Sequence, residues 1–437
     1  TTTFTTVPER SPNRLVVIVI LFSGMHFSQA VSIIQSQVGT IRGVQVLYSD
    51  QNPLSVDLVI NMPQDGIRLI FDPVAQRLKI IEIYNMKLVK LRYSGMCFNS
   101  PEITPSIEQV EHSFGATHPG LYDSQRHLFA LNFRGLSFYF PVDSKFEVSP
   151  KTWPGYAHGL GSLQFPNGGS PVVSRTTIYY GSQHQVSSGG RCSAPLADLP
   201  LSCYKHQLHL RRCDVLRSPT ATLGLRLHIY TEGNLRSIRH VAGRLVGRRV
   251  VRFGDSCQAV SRALAAPARL YYKADDKMRI HRPTARRRPP PASDYFFNYF
   301  TLGLDVLFDA RTHQVKKFVL HTNYPGHYNF NMYHRCEFEL NVQPDKCESN
   351  ALVESRGAVC ITAYSKWESV SRALRVCERP VVLNRASSTN TTNPFGSTFC
   401  YGYQDMIFEV MSNNYIASIT LYQPEGTRPH YAVNSIA

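Results

Sequence analysis

Residues 294–340, DYFFNYFTLGLDVLFDARTHQVKKFVLHTNYPGHYNFNMYHRCEFEL, are the most aromatic part of the chain and decide its reading. They read as four strands joined by turns. Phe296, Tyr299 and Phe300 lie in a β-forming run that bends at Thr301-Leu302-Gly303 and resumes from Leu304 to Phe308. Asp309-Ala310-Arg311-Thr312 is a polar turn, and Val315 to His321 alternates, with Val315, Phe318 and Leu320 apolar. Pro325-Gly326 turns the chain again, and Asn329 to Leu340 holds one or two further strands. An antiparallel meander with one apolar face must cover that face. The expected cover is the segment just upstream, Asp255 to Ala265, where Val260, Ala263 and Leu264 form a helical stripe behind an N-cap at Asp255 or Ser256.

The same grammar recurs outward from this stretch. Near the start, Phe27, Ala30, Val31, Ile33 and Ile34 predict a helix over 28–37, followed by strands at 44–48, 58–61, 67–71 and 78–83. A second round has a helix carrying Ile107, Val110 and Phe114, then an edge at Leu121-Tyr122 and two strands around Arg134-Gly135. The last round opens with a capping box at Ser365 and Glu368, continues through Val370, Ala373 and Leu374, and gives strands at 380–384, 398–401, 406–411 and 416–422. The strands 66–72, 135–140, 303–309 and 404–410 occupy the same place in each round, which is an internal repeat of a helix plus an antiparallel sheet. Phe71, Phe140, Phe308 and Phe408 are accordingly expected in cores.

The fold class expected is therefore α+β, as four tandem helix-plus-antiparallel-sheet units in two halves. Residues 1–23 form a lead-in with a first strand, 24–185 the N-terminal half, 186–252 a basic, partly flexible connector, and 253–437 the C-terminal half with loops at 282–292 and 344–358. Within the connector, Leu223 to Tyr230 looks like a strand, whereas Asn234 to Val251 is Arg-rich with no clear period. The eight apolar residues LVVIVILF at 15–22 are too few to span a bilayer and read as a buried strand, so the chain is expected to be soluble.

At 437 residues, 43% hydrophobic and 18% charged, the chain is long enough for two or three domains and a substantial core, and it is too apolar for global disorder. Its 23 Tyr and 23 Phe against two Trp suit β-rich structure. The net charge of +16 is concentrated: residues 205–288 hold 20 Lys or Arg against 5 Asp or Glu, a net of +15, which leaves +1 for the rest. Such a segment favours anionic partners, although a single charge run is ordinarily a solvated loop. Arg248, Arg249, Arg286, Arg287, Arg288, Lys316 and Lys317 are the candidate contacts with an anionic surface. Few aromatics stand among these arginines, so membrane surface or acidic protein ranks above nucleic acid. The ten cysteines form no CxxC and are expected reduced, in an intracellular protein.

Little in the chain looks catalytic. There is no GxGxxG after a strand, P-loop, GxSxG, HExxH or EF-hand loop. No cofactor and no metal are expected. His321, His327, His334 and Cys336 cluster in sequence, but their spacing matches no familiar zinc pattern. Asp65, Asp72, Asp305 and Asp309 recur at corresponding turns, where Asp ordinarily bonds its own backbone. Asn393-Pro394-Phe395 is a candidate docking turn, and equally an ordinary Asx-Pro turn.

The aromatic stretch, with EHSFGATHPGLY (111–122), LNFRGLSFYF (131–140), TVPERS (6–11) and NPFGSTFCYG (393–402), closely resembles the phagosome assembly factor 1 family. The resemblance implies a non-enzymatic cytoplasmic protein of autophagy. It implies action with a WD-repeat propeller partner of the breast-carcinoma-amplified-sequence type, at phagophore membranes bearing phosphoinositides. It also carries an association with Golgi-to-plasma-membrane trafficking. The competing classes are a lipid-acting enzyme, marked by a deep pocket with convergent His and Asp, and a nucleic-acid binder, marked by steep salt dependence.

Overall fold

The structure is a computed structural model. It describes residues 4–5, 23–37, 39, 41–93, 96–115, 120–123, 127–141, 172–180, 185–186, 192–193, 208–218, 221–231, 244–273, 293–344, 357–384 and 396–423. The apolar run at 15–22, the loop 282–292 and residues 345–356 lie outside these. The chain divides into two compact units, Thr1–Cys203 and Tyr204–Ala437, and the fold is mixed α+β, rich in antiparallel sheet.

In the N-terminal unit, α1 (Phe27–Ser36) begins at a capping box: His26 accepts from the Ser28 N–H, and the Gln29 side chain accepts from the His26 N–H. Its buried face is Phe27, Ala30 and Ile34, and Phe27 meets Phe71 edge-on at 5.0 Å. Four antiparallel strands follow, Gln45–Leu47, Leu58–Met62, Ile67–Phe71 and Leu78–Ile83. A second helix, α2 (Ile107–Phe114), is capped by Ser106 and Gln109 and precedes Leu121–Asp123, Leu128–Phe133, Leu136–Pro141 and Arg175–Tyr179. One eight-stranded sheet holds all eight strands. The two last strands meet at its middle, with Ile81 opposite Ile178.

The C-terminal unit has the same order of elements. After α3 (Cys257–Leu264) come Arg269–Tyr272, Tyr295–Tyr299, Leu304–Phe308 and Val315–His321. After α4 (Trp367–Leu374) come Val381–Leu383, Thr398–Tyr403, Met406–Val410 and Ile416–Tyr422. The fourth strands again pair centrally, Val319 opposite Thr420. Val260 and Leu264 of α3, and Trp367, Val370 and Leu374 of α4, join Phe308, Phe318, Phe408 and Ile419 in one core. Fully burying each such side chain is worth about 1.5–3 kcal/mol. Phe71, Phe140, Phe308 and Phe408 are all 0% exposed, as their strand positions led us to expect.

Each helix is tied to its own last strand in one way. The N-cap residue forms an isolated bridge with a residue shortly before that strand: His26 with Arg77, Ser106 with Val172, Ser256 with Gln314, and Lys366 with Tyr415. The α4 cap departs from the expected one. Ser365 does not cap; its Oγ accepts from the Thr362 N–H at 3.0 Å, and Glu368 pairs with Arg372 at 2.8 Å. Lys366 is the N-cap without a side-chain cap hydrogen bond, and the Trp367 N–H is satisfied by Asn414 O at 2.8 Å.

The larger difference lies in the expected connector. Within 186–252 the described residues include three long strands, His209–Arg217, Thr222–Thr231 and Arg244–Arg252. They belong to the second unit. With Phe338–Val342 and Val359–Thr362 they make a five-stranded sheet, joined through a parallel pairing of Cys213 with Phe338. Leu225, Leu227, Val251, Phe338, Leu340 and Ile361 bury one face of it in the same core as α3 and α4.

Candidate functional site

The other face of this five-stranded sheet gathers the basic residues. Alternation along the strands puts Arg212 and Asp214, then Arg226 and His228, then Arg248, Val250 and Arg252, on the side away from the core. Charge is divided across it. Asp214 takes hydrogen bonds from Arg212 at 2.5 Å and His228 at 3.0 Å, and Arg212 also reaches Glu339 at 2.9 Å. Partial burial pushes the Asp214 pKa up, but these bonds from His228 and Arg212 outweigh it and hold the carboxyl below its usual range. On the neighbouring strands, no described carboxylate pairs with the side chains of Arg226, Arg248 or Arg252. Arg226 stands opposite Val250, so Arg248 and Arg252 are its diagonal neighbours, about 7–8 Å away.

The residues singled out from the sequence fall in different places. Arg248 and Arg249 are exposed on the strand Arg244–Arg252. Lys317 lies over the Tyr422 ring at 5.9 Å. Lys316 is engaged within the fold, 3.3 Å from Asp294 and 3.2 Å from Asp309. Burial lowers its pKa, and the hydrogen bonds to Asp309 and Asp294 raise it by more. Arg286, Arg287 and Arg288, and the turn Asn393, Pro394 and Phe395, lie outside the described residues. Arg226 and Arg252 were missed, because only the strand register places them beside Arg248.

The histidine cluster is dispersed into separate bonds in and beside the segment 322–337. This segment is pinned by Thr322 Oγ1 to Ile416 O at 2.6 Å, Arg335 Nε to Thr322 O at 2.9 Å and Tyr324 OH to Ala363 O at 2.9 Å. Beside it His321 Nε2 lies 2.8 Å from Asp305, which also accepts from Asn298 at 2.7 Å and from the Tyr333 OH at 2.9 Å. Asp305 is thus a buried hub and not a turn-capping residue. Asp72 and Asp309 do cap turns, each accepting two backbone N–H groups. His327 lies 3.3 Å from Glu409, whose carboxylate accepts from Thr398 at 2.9 Å and Ser418 at 2.8 Å.

Half-buried His334 packs against His209 with ring centroids 5.8 Å apart; burial first, then that neighbour, hold its pKa low. Cys336 is fully buried, and its thiol is pushed up by burial and by Cys213 beside it. Among the described residues no group of three or more His, Cys, Asp or Glu could hold a metal ion, and no helix is long and apolar enough to cross a membrane.

Comparison with known proteins gives the context for these features. The family model described as phagosome assembly factor 1 matches residues 18–422. The chain belongs to this family. A family member named as a PHAF1 protein in Drosophila melanogaster is 60% identical over 410 residues, covering 91% of this chain and 90% of that one. A PHAF1 protein of Arabidopsis thaliana is 36% identical over 407 residues, with 92% and 89% covered. One from Caenorhabditis elegans is 34% identical over 405 residues, with 91% and 89% covered. No solved structure matches. The family match runs through Arg226, Arg248 and Arg252 as well as through both eight-stranded sheets.

Proposed function

We propose that this chain is a non-enzymatic scaffold of autophagy that contributes to phagosome assembly beside a WD-repeat propeller partner of the breast-carcinoma-amplified-sequence type. The observation that carries the reading is membership of the phagosome assembly factor 1 family across 18–422. The buried polar groups support a non-enzymatic role. His321 and His327 are each committed to a carboxylate, and both carboxylates are further saturated by Asn298 and Tyr333 or by Thr398 and Ser418. A general base must reach the proton it removes, and these groups face one another inside the fold. Peripheral contact with phosphoinositide-bearing membrane fits the exposed Arg248 and Arg249, since a basic residue near an anionic leaflet contributes about 1 kcal/mol. Such a contribution is too weak for anchoring alone and adds to what a partner supplies.

The test is recovery of the tagged chain from starved cells with quantitation of what accompanies it. A propeller protein in near-equal amount, and loss of the chain from phagophore structures when that protein is removed, are the expected results. Recruitment that persists without any propeller partner would overturn the partnership. Turnover of a lipid panel by the purified chain would overturn the non-enzymatic reading.

We also infer that the chain is built from four copies of one helix-plus-four-strand unit, joined in pairs through their last strands. The recurring N-cap bridges support this, as does a register shift at one place in three of the four rounds: between Ile70 and Phe71, between Leu307 and Phe308, and between Glu409 and Val410. By that shift Val410, and not Phe408, is the counterpart of Phe71 and Phe308. An experimental structure whose N-cap bridges or shifts fall at unlike positions would refute the copy relation.

A further inference from the structure

The strand Arg244–Arg252 is the outer rim of the five-stranded sheet, and no described strand pairs beyond it. Its register decides which backbone groups face outward. The Phe253 N–H donates to Leu223 O at 3.2 Å, which makes Phe253 and Leu223 a hydrogen-bonded pair. Val251 with Leu225, and Arg249 with Leu227, continue that series inward. Arg248, Val250 and Arg252 hold the alternate positions, so their N–H and C=O groups point to the open side.

Arg252 is already engaged: its N–H donates to Asp255 Oδ2 at 2.7 Å and its C=O accepts from the Asp255 N–H at 3.2 Å. The Asp255 turn therefore closes the rim at one end. Arg248 and Val250 leave two donors and two acceptors facing outward. Their side chains stand with Arg252 on the sheet face away from the core, where Arg248 and Arg252 are exposed and Val250 is 37% exposed. The rim thus presents cation, aliphatic, cation at steps of about 6.6 Å, with Arg226 diagonal to both arginines. The acids of this face, Asp214 and Glu339, are held by Arg212 and His228 on the far side of Arg226.

We propose that this rim docks an extended acidic segment of a partner protein as an added antiparallel strand. Backbone hydrogen bonds to Arg248 and Val250 supply the pairing, and side chains at alternate positions supply the choice of partner. The matching segment carries an acid opposite Arg248, an aliphatic residue opposite Val250 and a second acid toward Arg252. This docking edge shares Arg248 with the membrane reading above but does not rest on it. Charged residues on edge strands also serve to block unwanted pairing. A purely blocking edge rejects an acidic strand-forming segment or binds it without regard to backbone pairing, and that difference is measurable.

The probe is a fluorescein-labelled peptide with a Glu-Thr-Val-Thr-Glu centre, titrated with the full chain and followed by anisotropy. Binding is expected to weaken at least tenfold when Arg248→Glu and Arg252→Glu are combined, and to vanish for a control peptide with Lys in place of both Glu. Val250→Pro is the decisive variant. It deletes an N–H that faces outward, a change tolerated on an edge strand, and leaves every charge in place. Loss of binding in Val250→Pro, with a melting temperature near that of the wild type, supports strand addition. Should that variant fold poorly, a probe N-methylated at its central Val, against the wild-type chain, makes the same test from the other side. Undiminished binding by Val250→Pro or by the methylated probe, equal binding of the Lys control, or no binding of the probe would each overturn the proposal.

Discussion

Arg217 and Asp405 are joined by a buried salt bridge, Nη1 to Oδ1 at 2.6 Å, between side chains 5% and 3% exposed. The pair fastens the end of the strand His209–Arg217 to the turn between Thr398–Tyr403 and Met406–Val410. Arg217 also donates to Gln404 and to Thr222 Oγ1, each at 2.6 Å, and Asp405 accepts the Thr222 N–H. Arg217→Ala should destabilise the chain by about 3–5 kcal/mol in urea unfolding, because it leaves a buried carboxylate without its counter-ion. Combining Arg217→Met with Asp405→Leu should recover part of that loss. The recovery stays incomplete because the Thr222 N–H then lacks its acceptor, at about 1–3 kcal/mol.

Phe308 is fully buried and contacts both Tyr295, at 5.3 Å between ring centroids, and Phe297, at 4.6 Å. Phe308→Ala removes a large side chain from a closed core and should cost about 3–5 kcal/mol. A loss below about 1 kcal/mol would mean that the core closes over the void, contrary to the packing seen. Denaturant midpoints of the two proteins at equal slope decide it.

Gly66 and Gly303 both take positive φ, +67° and +65°, at the start of corresponding strands. A Cβ on Gly303 would stand 2.4 Å from His334 O and 2.6 Å from Cys336 N, and one on Gly66 would stand 2.7 Å from Asn85 Cβ. Backbone atoms cannot yield as a flexible side chain does. Left-handed φ alone costs an alanine about 1–2 kcal/mol, so both Gly→Ala changes should exceed that. The loss should be greater at Gly303, where both near contacts are backbone and closer, whereas the nearest backbone contact at Gly66 is Asn85 O at 2.9 Å. Thermal melting of the two single variants gives the order.

Asp309 accepts the Thr312 and Arg311 N–H groups at 2.9 Å each, and Lys316 lies at 3.2 Å. The backbone bond from Thr312, then that from Arg311, hold its carboxyl well below the usual range. A carboxylate with a depressed folded pKa contributes stability that is complete above the unfolded value of about 3.9. That contribution is lost as the pH falls through the lower folded value. Asp309→Asn keeps an oxygen acceptor for the turn and removes the charge. It should therefore be less stable than wild type at neutral pH, with the gap closing below about pH 4. Paired urea titrations from pH 7 to pH 2 show whether the curves converge.

The helices and the core phenylalanines were legible because their signals are local. Val260 and Leu264, or Phe71 beside Gly66, sit in stripes and alternations that a short window contains. The five-stranded sheet was not, for two reasons. Its strand Arg244–Arg252 carries a register shift opposite Ile229 and Tyr230, with Gly247 at φ +134°, so simple alternation fails across it. Its join to Phe338 is a parallel pairing across more than a hundred residues, for which nearby sequence carries no sign. Lys316 misled in the opposite sense: it looked like a free surface cation until Asp294 and Asp309 were brought to it from other turns. The pattern Arg248, Val250, Arg252 was visible as text, but only the Phe253 to Leu223 bond shows which way its backbone faces.

The central pairing of Val315–His321 with Ile416–Tyr422 sets a timetable for the newborn chain. A ribosome adding about 5–20 residues per second completes the second strand some 5–20 s after the first, and through that interval the middle of the future sheet is a raw edge. That edge is lined by Phe318 and Leu320 on the face that later becomes core. The centre of the sheet, its best-protected part once folded, is thus its most adhesive part during synthesis. A chain interrupted before residue 416 would expose the same adhesive edge for as long as it survives.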